Sequence, residues 1–467
     1  MNFKKVDAAD IVFFQQAIGV EYVYTDEASI KKYSVDETVD ASFAPEVVLK
    51  PVSAEEISKI LSYCNQQKIP VSPRAAGTGL SANSLPVEGG ITLSIERMNH
   101  ILEIDERSLQ VTTEPGVVTE FLQNTLKEKG LFYPPDPSSR GSCFIGGNVA
   151  CNSGGPRAVK YGVVKDYVLN LEVVLPSGKI MWTGANVLKN STGYNFTQLF
   201  VGSEGTLGII TKIVLKLIPH PTTNVVMLVP FNSMEKASEA VSAVFRAGIV
   251  PSCLEFMERD AIEWVCKFLG DVTIAIDDET QAHLLIEMDG NDMAQIQKEC
   301  EKLYEVISEF GCGEILFADS EAQKNDLWRM RRNAAYAIKK TAVTIEEDTV
   351  VPRADLPILL KSIKRIGAKY GFKSVCYGHA GDGNVHVRIV KGELSDEAWK
   401  NIIQKKAVRE IFEEVHQLKG TISGEHGIGW IQRQYMDIKF DEEQLNLMRG
   451  VKAVFDPNGI LNPSKIF

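Results

Sequence analysis

Residues 69–81 read IPVSPRAAGTGLS, a short apolar strand that runs into a loop holding two glycines. An earlier apolar stretch at 47–49 predicts a preceding strand, and Ser53 with Glu56 three residues later is the pattern that starts a capped helix. Apolar residues then recur at helical spacing as far as Cys64. This strand–helix–strand unit therefore delivers a Gly-containing loop, an arrangement in which backbone N–H groups can approach a phosphate closely.

The loop does not continue as a Rossmann dinucleotide-binding motif requires. In that motif the loop opens a helix, because the pyrophosphate sits on the helix N-terminus. Here residues 82–90 read ANSLPVEGG, which cannot continue as a helix, and the third glycine of the motif is missing. A Rossmann-type NAD domain is therefore disfavoured. Taken by itself, the loop is explained equally well as a plain turn.

Further glycine- and proline-rich stretches follow along the first 220 residues. They lie at 133–139, 146–148, 152–155 and 202–210. Before, between and after them, apolar residues predict strands at 91–95, 169–175, 179–182 and 211–217. We expect the stretches to be ordered loops with free backbone donors, which suit a surface laid against a polyphosphate cofactor.

Composition and charge exclude several classes of protein. The 467 residues include 50 Lys and Arg against 61 Asp and Glu, and no Lys/Arg block, so no nucleic-acid partner is expected. No apolar run approaches the roughly 18 residues that span a bilayer, and the N-terminus does not read as a signal peptide. The eight cysteines are scattered without a C-x-x-C pair, which excludes an iron–sulfur cluster within this chain. We expect a soluble, cytoplasmic protein of two or three packed units.

The ordered set of loops resembles the FAD-binding domain of the p-cresol methylhydroxylase (PCMH) and vanillyl-alcohol oxidase flavoprotein superfamily. The resemblance is carried by Arg74 to Gly79, Pro135-Asp136-Pro137, Gly146-Gly147-Asn148 and the 202–210 stretch. Within that superfamily the whole chain is similar to the FAD-linked D-2-hydroxyacid dehydrogenases, which include the D-lactate dehydrogenases and the glycolate oxidase catalytic subunit. Each motif alone is weak, whereas their order along the chain is specific.

The resemblance implies an α+β fold in three segments. Residues 1–220 would form a PCMH-type FAD-binding domain of two α+β subdomains. Residues 221–420 would form a cap domain with an antiparallel sheet and helices, of the FAD-linked oxidase C-terminal type. Residues 421–467 would return to the flavin site. A change of composition after Pro219 and Pro221 places the first boundary near residue 220.

The resemblance also implies which residues hold the flavin. They are Arg74, Ala75, Ala76, Gly77, Thr78, Gly79, Leu80, Ser81, Pro135, Asp136, Pro137, Ser138, Gly146, Gly147, Asn148, Asn152, Ser153, Gly154, Gly155, Tyr161, Gly162, Glu204, Gly205, Gly208, Ile209, Ile210 and Asn462. Relatives with a covalent flavin usually attach it through a histidine in or near the first glycine loop. This chain has no histidine there, so non-covalent FAD is expected.

Three of the seven histidines fall in two short stretches, GHAGDGNVHVR at 378–388 and SGEHG at 423–427. Alternating residues on both sides of the Asp382-Gly383 turn signal predict a hairpin-like turn on which His379 and His386 converge. A carboxylate from Glu425 would complete a two-His, one-carboxylate set, which suits zinc or ferrous iron. From the residues alone, the favoured interpretation is that the two histidines are hydrogen-bonded turn residues and that Glu425 is a capping residue. The resemblance implies a divalent metal on these three residues.

The resemblance implies that His426 is the catalytic base. An unperturbed imidazole has a pKa near 6.5, so a histidine can accept a proton at neutral pH. A substrate carboxylate suits a planar arginine, and Arg331 in the run WRMRRN at 328–333 matches the family's position. Arg329 and Arg332 are interpreted as a solvated helix face. The remaining histidines are interpreted as structural: His100, His220, His283 and His416.

The expected substrate is a small D-2-hydroxy acid, D-lactate first and glycolate next. Relatives specialised for larger dicarboxylates carry a Thr and a Lys where this chain has Ala335 and the acidic stretch 345–348. Because the chain contains no second redox motif, the reduced flavin needs a separate acceptor. We expect an electron-transferring flavoprotein or an iron–sulfur subunit; the alternative function is a glycolate oxidase catalytic subunit working with an iron–sulfur subunit.

Two other classes of function compete with this interpretation. One is a synthase like the alkyl-dihydroxyacetone-phosphate enzyme, which performs no net oxidation; it would need a phosphate pocket, and no Lys/Arg cluster is dedicated to one. The other is a non-catalytic subunit of an electron-transfer complex. Retention of both histidine stretches and the glycine loops argues against it.

Overall fold

The computed structural model describes residues 3–272, 274 and 276–467. The chain divides into two compact units. The first unit contains residues up to Ser153, Val163–His220 and Glu425–Phe467, and the second contains Gly154–Gly162 and Pro221–Gly424. The segment 154–162 thus belongs with the second unit, although the sequence analysis places it before the boundary at 220.

Helices occur in both units. In chain order they are α1 (Ala8–Ile18), α2 (Glu27–Tyr33), α3 (Ala54–Gln67), α4 (Thr119–Lys127), α5 (Ile145–Cys151), α6 (Ala158–Tyr161), α7 (Phe196–Phe200), α8 (Met234–Arg246), α9 (Arg259–Leu269), α10 (Met293–Ser308), α11 (Glu321–Thr341), α12 (Leu356–Tyr370), α13 (Asp396–Ala398), α14 (Val408–Gln417), α15 (Met436–Lys439) and α16 (Glu442–Phe455). A π-helix, Trp399–Ala407, joins α13 to α14. No helix in the described ranges is both long and apolar enough to cross a bilayer.

Among the described residues, strands form three sheets in the first unit and one in the second. In chain order they are β1 (Val23–Tyr24), β2 (Val47–Leu49), β3 (Val71–Arg74), β4 (Ile91–Ser94), β5 (Ile101–Asp105), β6 (Gln110–Thr113), β7 (Leu131–Phe132), β8 (Val168–Val174), β9 (Ile180–Trp182), β10 (Ile209–Lys216), β11 (Ile218–Pro219), β12 (Thr223–Phe231), β13 (Cys253–Glu258), β14 (Ala282–Gly290), β15 (Leu316–Phe317), β16 (Thr344–Val350), β17 (Lys373–Gly378) and β18 (Asn384–Val390). The first unit's sheets have the orders β1-β2-β4-β3, β5-β6-β10-β8-β9 and β11-β7.

The first unit is built around two hydrophobic clusters. One packs α3 against β2, β3 and β4, and the other packs α4 and α5 against β6, β8 and β10. Helix α3 begins as the sequence predicts: the Ser53 Oγ accepts the Glu56 N–H at 3.2 Å. Its apolar stripe from Ile57 to Cys64 is buried. The parallel strands β2 and β3 flank β4, so the glycine loop leaves the sheet at the end of β3.

The expectation that residues 146–148 form a loop is wrong, because they lie in helix α5. Two glycines weaken a helix, but the first N–H groups here find acceptors outside it. The Ile145 N–H bonds to the Val117 carbonyl at 2.9 Å and the Gly146 N–H to the Pro115 carbonyl at 2.8 Å. Tertiary hydrogen bonds thus override the local propensity.

The second unit is a seven-stranded antiparallel sheet with helices. Its order is β15-β12-β14-β13-β17-β18-β16. Helices α9 and α11 contribute Ile262 and Met330 to one buried cluster, which also contains Leu285 of β14 and Tyr377 of β17. Strands β17 and β18 form the predicted hairpin, with Tyr377 opposite His386. The expected α+β architecture is therefore present, with an antiparallel sheet in the second unit.

His283 generates a prediction about acid stability. It lies in the middle of the sheet opposite Met257, and burial lowers its pKa to about 4. Between pH 6.5 and 4 the unfolded chain binds a proton at this site and the native chain does not, so stability falls as the pH falls through that window. We expect the loss to be about 3 kcal/mol. His283→Leu should remove it in urea titrations at pH 7 and pH 4.5.

The exposed His416 provides the matched control. His416→Leu should lose as much stability on acidification as the unsubstituted protein. Equal acid sensitivity of both variants would contradict the assignment to His283.

Candidate functional site

The β17–β18 hairpin brings His379 and His386 together. Their ring centroids are 5.3 Å apart with the rings 85° to each other, and both side chains are buried. Since β18 continues from the turn with strict alternation, the ring of His386 lies on the same sheet face as Tyr377, its partner in register. The predicted convergence of the two imidazoles is confirmed by this geometry.

A buried carboxylate orients the first of these imidazoles. Glu255 of β13 is fully buried, and its two oxygens each lie 2.9 Å from the His379 Nδ1. An ionised carboxylate only accepts, so Nδ1 carries the proton and the Nε2 lone pair is available to a ligand. Burial pushes the pKa of Glu255 upwards, but the hydrogen bond from His379 and the positive charge of Arg331 outweigh it and hold the pKa below its ordinary value.

The same carboxylate pairs with the predicted substrate-binding arginine. Arg331 of α11 is 3% exposed, and its Nη2 lies 2.6 Å from the Glu255 Oε2. Among the residues that the structure describes, its Nε has no hydrogen-bond partner. A buried guanidinium with an unsatisfied N–H suits an anionic ligand. Arg329, by contrast, is partly exposed and pairs with Asp271, in agreement with the solvated-face interpretation.

Asp348 links the second imidazole to the end of the second unit. It lies opposite His386 in the β16–β18 pair, with Oδ1 3.7 Å from the His386 Nδ1. Its Oδ2 accepts the Ser423 hydroxyl at 3.0 Å and the Gly424 N–H at 2.8 Å. Glu425 and His426 follow Gly424 in the chain and belong to the first unit.

A second buried arginine of the sheet is already matched by an acid. Arg388 of β18 pairs with Glu346 of β16 through its Nη2, and its Nε donates to the Tyr377 hydroxyl at 3.2 Å. Its Nη1 donates to the Thr344 hydroxyl at 3.2 Å. The guanidinium is therefore satisfied on several sides, unlike that of Arg331.

In the first unit, the glycine loop after β3 packs tightly against α5. A Cβ at Gly77 would fall 2.2 Å from the Arg74 Nη2, and a Cβ at Gly147 would fall 3.0 Å from that of Ala75. Arg74 is 8% exposed, and its Nη1 has no hydrogen-bond partner within the described chain. A buried, unsatisfied guanidinium group beneath a glycine loop fits an anionic cofactor such as the expected FAD.

Several other predicted flavin residues engage protein groups with their side chains. Asp136 pairs with Arg140, and the Asn148 amide donates to the Thr119 hydroxyl at 2.6 Å. Tyr161, within the second unit, donates to Asp289 at 2.8 Å. The Asn462 amide donates to the carbonyls of Asn83 and Glu204, at 2.8 and 2.7 Å.

These contacts are made with other protein groups. Binding of FAD by the full predicted set therefore stays a prediction. The set combines residues of both units, since Gly154, Gly155, Tyr161 and Gly162 lie in the second unit. The first unit carries the glycine loop, the proline-rich loop, α5 and the stretch 204–210.

Sequence reasoning missed Glu255 and gave Asp348 no role of its own. One signal was present for Glu255: it is a charged residue at the centre of an otherwise apolar strand, SCLEFM at 252–257. A buried charge in such a strand demands a partner. The partners, however, lie far along the chain, and nothing local identifies them.

The chain matches known families over most of its length. Residues 45–184 match the family described as FAD binding domain, and residues 220–466 match FAD linked oxidases, C-terminal domain. It is 39% identical over 453 residues to glycolate oxidase subunit GlcD of Bacillus subtilis, covering 97% of this chain and 95% of that one. It is 38% identical over 426 residues to D-lactate dehydrogenase of Anaerostipes hadrus, covering 90% and 89%.

A solved structure shares the fold. The structure of p-cresol methylhydroxylase with substrate bound superposes with a TM-score of 0.80 at 19% identity, covering 98% of this chain and 96% of that one. This likeness concerns the fold alone. Together with the family matches it confirms the resemblance drawn from the loop motifs.

The Glu255 cluster generates a stability prediction. Glu255→Gln keeps the shape but leaves the Arg331 guanidinium buried without its counter-charge, which costs about 3–5 kcal/mol in comparable buried pairs. We expect a melting temperature lower by roughly 10 °C or more, measured by calorimetry. Glu321→Gln, which breaks the exposed Lys324 pair, is the control and should melt with the unsubstituted protein. Coincident melting of both variants would show that Glu255 is not the counter-ion.

Proposed function

The chain belongs to the FAD-linked oxidases, and from that premise we propose that it oxidises a small D-2-hydroxy acid. The preferred substrate is D-lactate, which is oxidised to pyruvate. It is an FAD-linked oxidoreductase with an FAD-binding domain at 45–184. The observation that carries the proposal is the buried group of His379, His386, Glu255 and Arg331 on one sheet and its helix. This group offers nitrogen ligands for a cation next to an arginine with an unsatisfied N–H.

The glycine loop supports non-covalent FAD. Arg74 places a buried positive group under that loop, and no histidine lies in the Arg74–Ala76 stretch to form a covalent bond. When bound, FAD supplies the acceptor for the hydride that leaves C2 of the substrate. The loop residues bind and orient the cofactor through backbone N–H groups.

For the metal we propose His379, His386 and Glu425 as ligands, with zinc or ferrous iron as the ion. Two imidazoles and a carboxylate are the donor set that both ions accept while open positions remain. A divalent ion there supplies Lewis-acid polarisation of the substrate hydroxyl. Glu255 supports the assignment, because it fixes the His379 tautomer that exposes Nε2.

Arg331 and His426 have separate roles in the proposed reaction. Arg331 binds the substrate carboxylate through N–H groups that remain available while Glu255 holds its Nη2. His426 removes the proton of the 2-hydroxyl as the C2 hydrogen leaves with its electron pair. The product is a 2-oxo acid, and the proton stays on the His426 imidazole until it is released to solvent.

The Arg388–Glu346 pair supports a monocarboxylate substrate. A dicarboxylate needs a second cation, and the buried Arg388 is neutralised by Glu346. Glycolate is the second candidate substrate, favoured by the 39% identity to the glycolate oxidase subunit. In that case the electrons would leave through an iron–sulfur subunit.

For the acceptor we propose a separate protein, an electron-transferring flavoprotein in the D-lactate case. The support is in the sequence, which holds no second redox motif. We place the reaction in the cytoplasm, which agrees with eight cysteines that are all free in the described chain.

The proposed function is tested by anaerobic reduction of the flavin by D- and L-2-hydroxy acids, followed by its absorbance. D-lactate should bleach the flavin band and L-lactate should not. His386→Ala should lose both the metal, by elemental analysis, and the bleaching. His426→Ala should keep metal and FAD yet lose at least a hundred-fold in reduction rate, as general bases usually contribute. Full-rate bleaching by His426→Ala would remove this residue as the base.

Substrate size is tested at Glu346. Glu346→Gln should leave Arg388 with a free positive charge, so kcat/KM for D-2-hydroxyglutarate relative to D-lactate should rise roughly ten-fold. Glu347→Gln, the next residue on the opposite face of β16, is the matched control and should leave the ratio unchanged. If the ratio of kcat/KM values is unchanged in both variants, Glu346 does not determine substrate size.

A further inference from the structure

A buried glutamate of the first unit, predicted above only as a flavin contact, has no part in the proton transfer described so far. Glu204 lies between α7 and β10, 6% exposed, with a backbone φ of +52° that side chains rarely adopt. Its own N–H bonds to the Ala150 carbonyl at 2.8 Å. Burial raises the pKa of its carboxyl against the opposing effect of its hydrogen-bond donors. Such a backbone persists only where its surroundings hold it in place.

The Glu204 carboxylate accepts three N–H groups. Its Oε1 lies 2.7 Å from the Ile428 nitrogen, and its Oε2 lies 2.8 Å from the Gly429 nitrogen. The Asn83 amide donates to the same Oε2 at 2.6 Å. Two of these donors are consecutive backbone groups that closely follow His426 in the chain. Hydrogen bonds to a carboxylate are stronger than hydrogen bonds between neutral groups, so this side chain holds the backbone at residues 428–429 in place.

Ser81 also forms hydrogen bonds with the segment 427–430. The Ser81 hydroxyl donates to the Gly427 carbonyl at 3.1 Å, and the Trp430 N–H bonds to the Ser81 carbonyl at 2.9 Å. At Gly427, where φ is +78°, a Cβ would fall 2.9 Å from the Glu204 Oε1. The backbone from 427 to 430 is therefore tied at successive atoms to Glu204 and Ser81.

We propose that Glu204 is a positioning residue that fixes the backbone after His426 and so directs its imidazole at the substrate hydroxyl. The inference rests on the proposed role of His426 as the base. Glu204 does not touch substrate in this assignment. It acts through two peptide N–H groups. Displacement of a catalytic base by about 1 Å can lower the rate up to a hundred-fold.

The first test is kinetic. Glu204→Gln keeps the size of the side chain but replaces one acceptor oxygen by an N–H₂ group, which cannot accept. We expect the rate of flavin reduction by D-lactate to fall about 10- to 100-fold, with KM and FAD content unchanged. Glu88→Gln is the matched control, because Glu88 bonds to Ser464 near the surface and does not hold the 427–430 backbone. A full reduction rate in Glu204→Gln overturns the proposal.

The second test is independent of activity. Hydrogen–deuterium exchange of the holoenzyme should show the amides of Ile428 and Gly429 exchanging at least ten-fold faster in Glu204→Gln, while peptides from β12 stay unchanged. Unchanged protection at 428 and 429 overturns the proposal. If Glu204→Gln does not fold, Asn83→Ala removes one donor of the same clamp and should give a smaller rate loss with the same exchange signature.

The double variant separates this inference from the proposed function. With His426 replaced by Ala, adding Glu204→Gln should cause no further loss of the residual reduction rate, since the group being positioned is gone. An additive loss overturns the positioning role. Full-rate reduction by His426→Ala alone would refute the base assignment, and the exchange experiment would still decide whether Glu204 holds the loop.

Discussion

The second unit depends on one constraint: a charge inside its sheet must be paired. Glu255 is fully buried, and an isolated carboxylate there would be far less stable than in water. It is kept by His379 and Arg331, which come from the end of a different strand and from a helix. Three elements, β13, β17 and α11, are therefore held in one relative position by one carboxylate. The same pairing orients both groups that would handle a ligand.

The first unit applies the same rule with backbone donors. Glu204 also buries a carboxylate, but its partners are two peptide N–H groups and one amide. Lys465 lies close by, 3% exposed, and donates to the carbonyls of Ala82 and Leu85 at 2.8 and 2.6 Å. Both buried acids thus fix a histidine-bearing stretch, one by contacting the ring of His379 and the other by holding the backbone after His426.

The features that could be predicted from the sequence are local. The start of α3 needs only Ser53 and Glu56, and the hairpin of His379 and His386 needs only a turn signal and alternating residues. The hydrogen bonds that could not be predicted join residues far apart in the sequence. Glu255 and His379 are separated by 124 residues, and Glu204 and Ile428 by 224. Helix α5 also escaped, because carbonyls of Pro115 and Val117 stabilise a stretch whose glycines oppose a helix.

The return of the chain to β3 has a consequence for biosynthesis. Strand β3 is at the edge of its sheet, and residues 460–462 lie along it, with the Val71 N–H bonded to the Ile460 carbonyl and the Asn462 N–H to the Val71 carbonyl, each at 2.8 Å. The ribosome makes β3 nearly four hundred residues before it makes residues 460–462. The outer edge of β3 therefore stays without these hydrogen bonds until residues 460–462 have been synthesised, after the whole of the second unit.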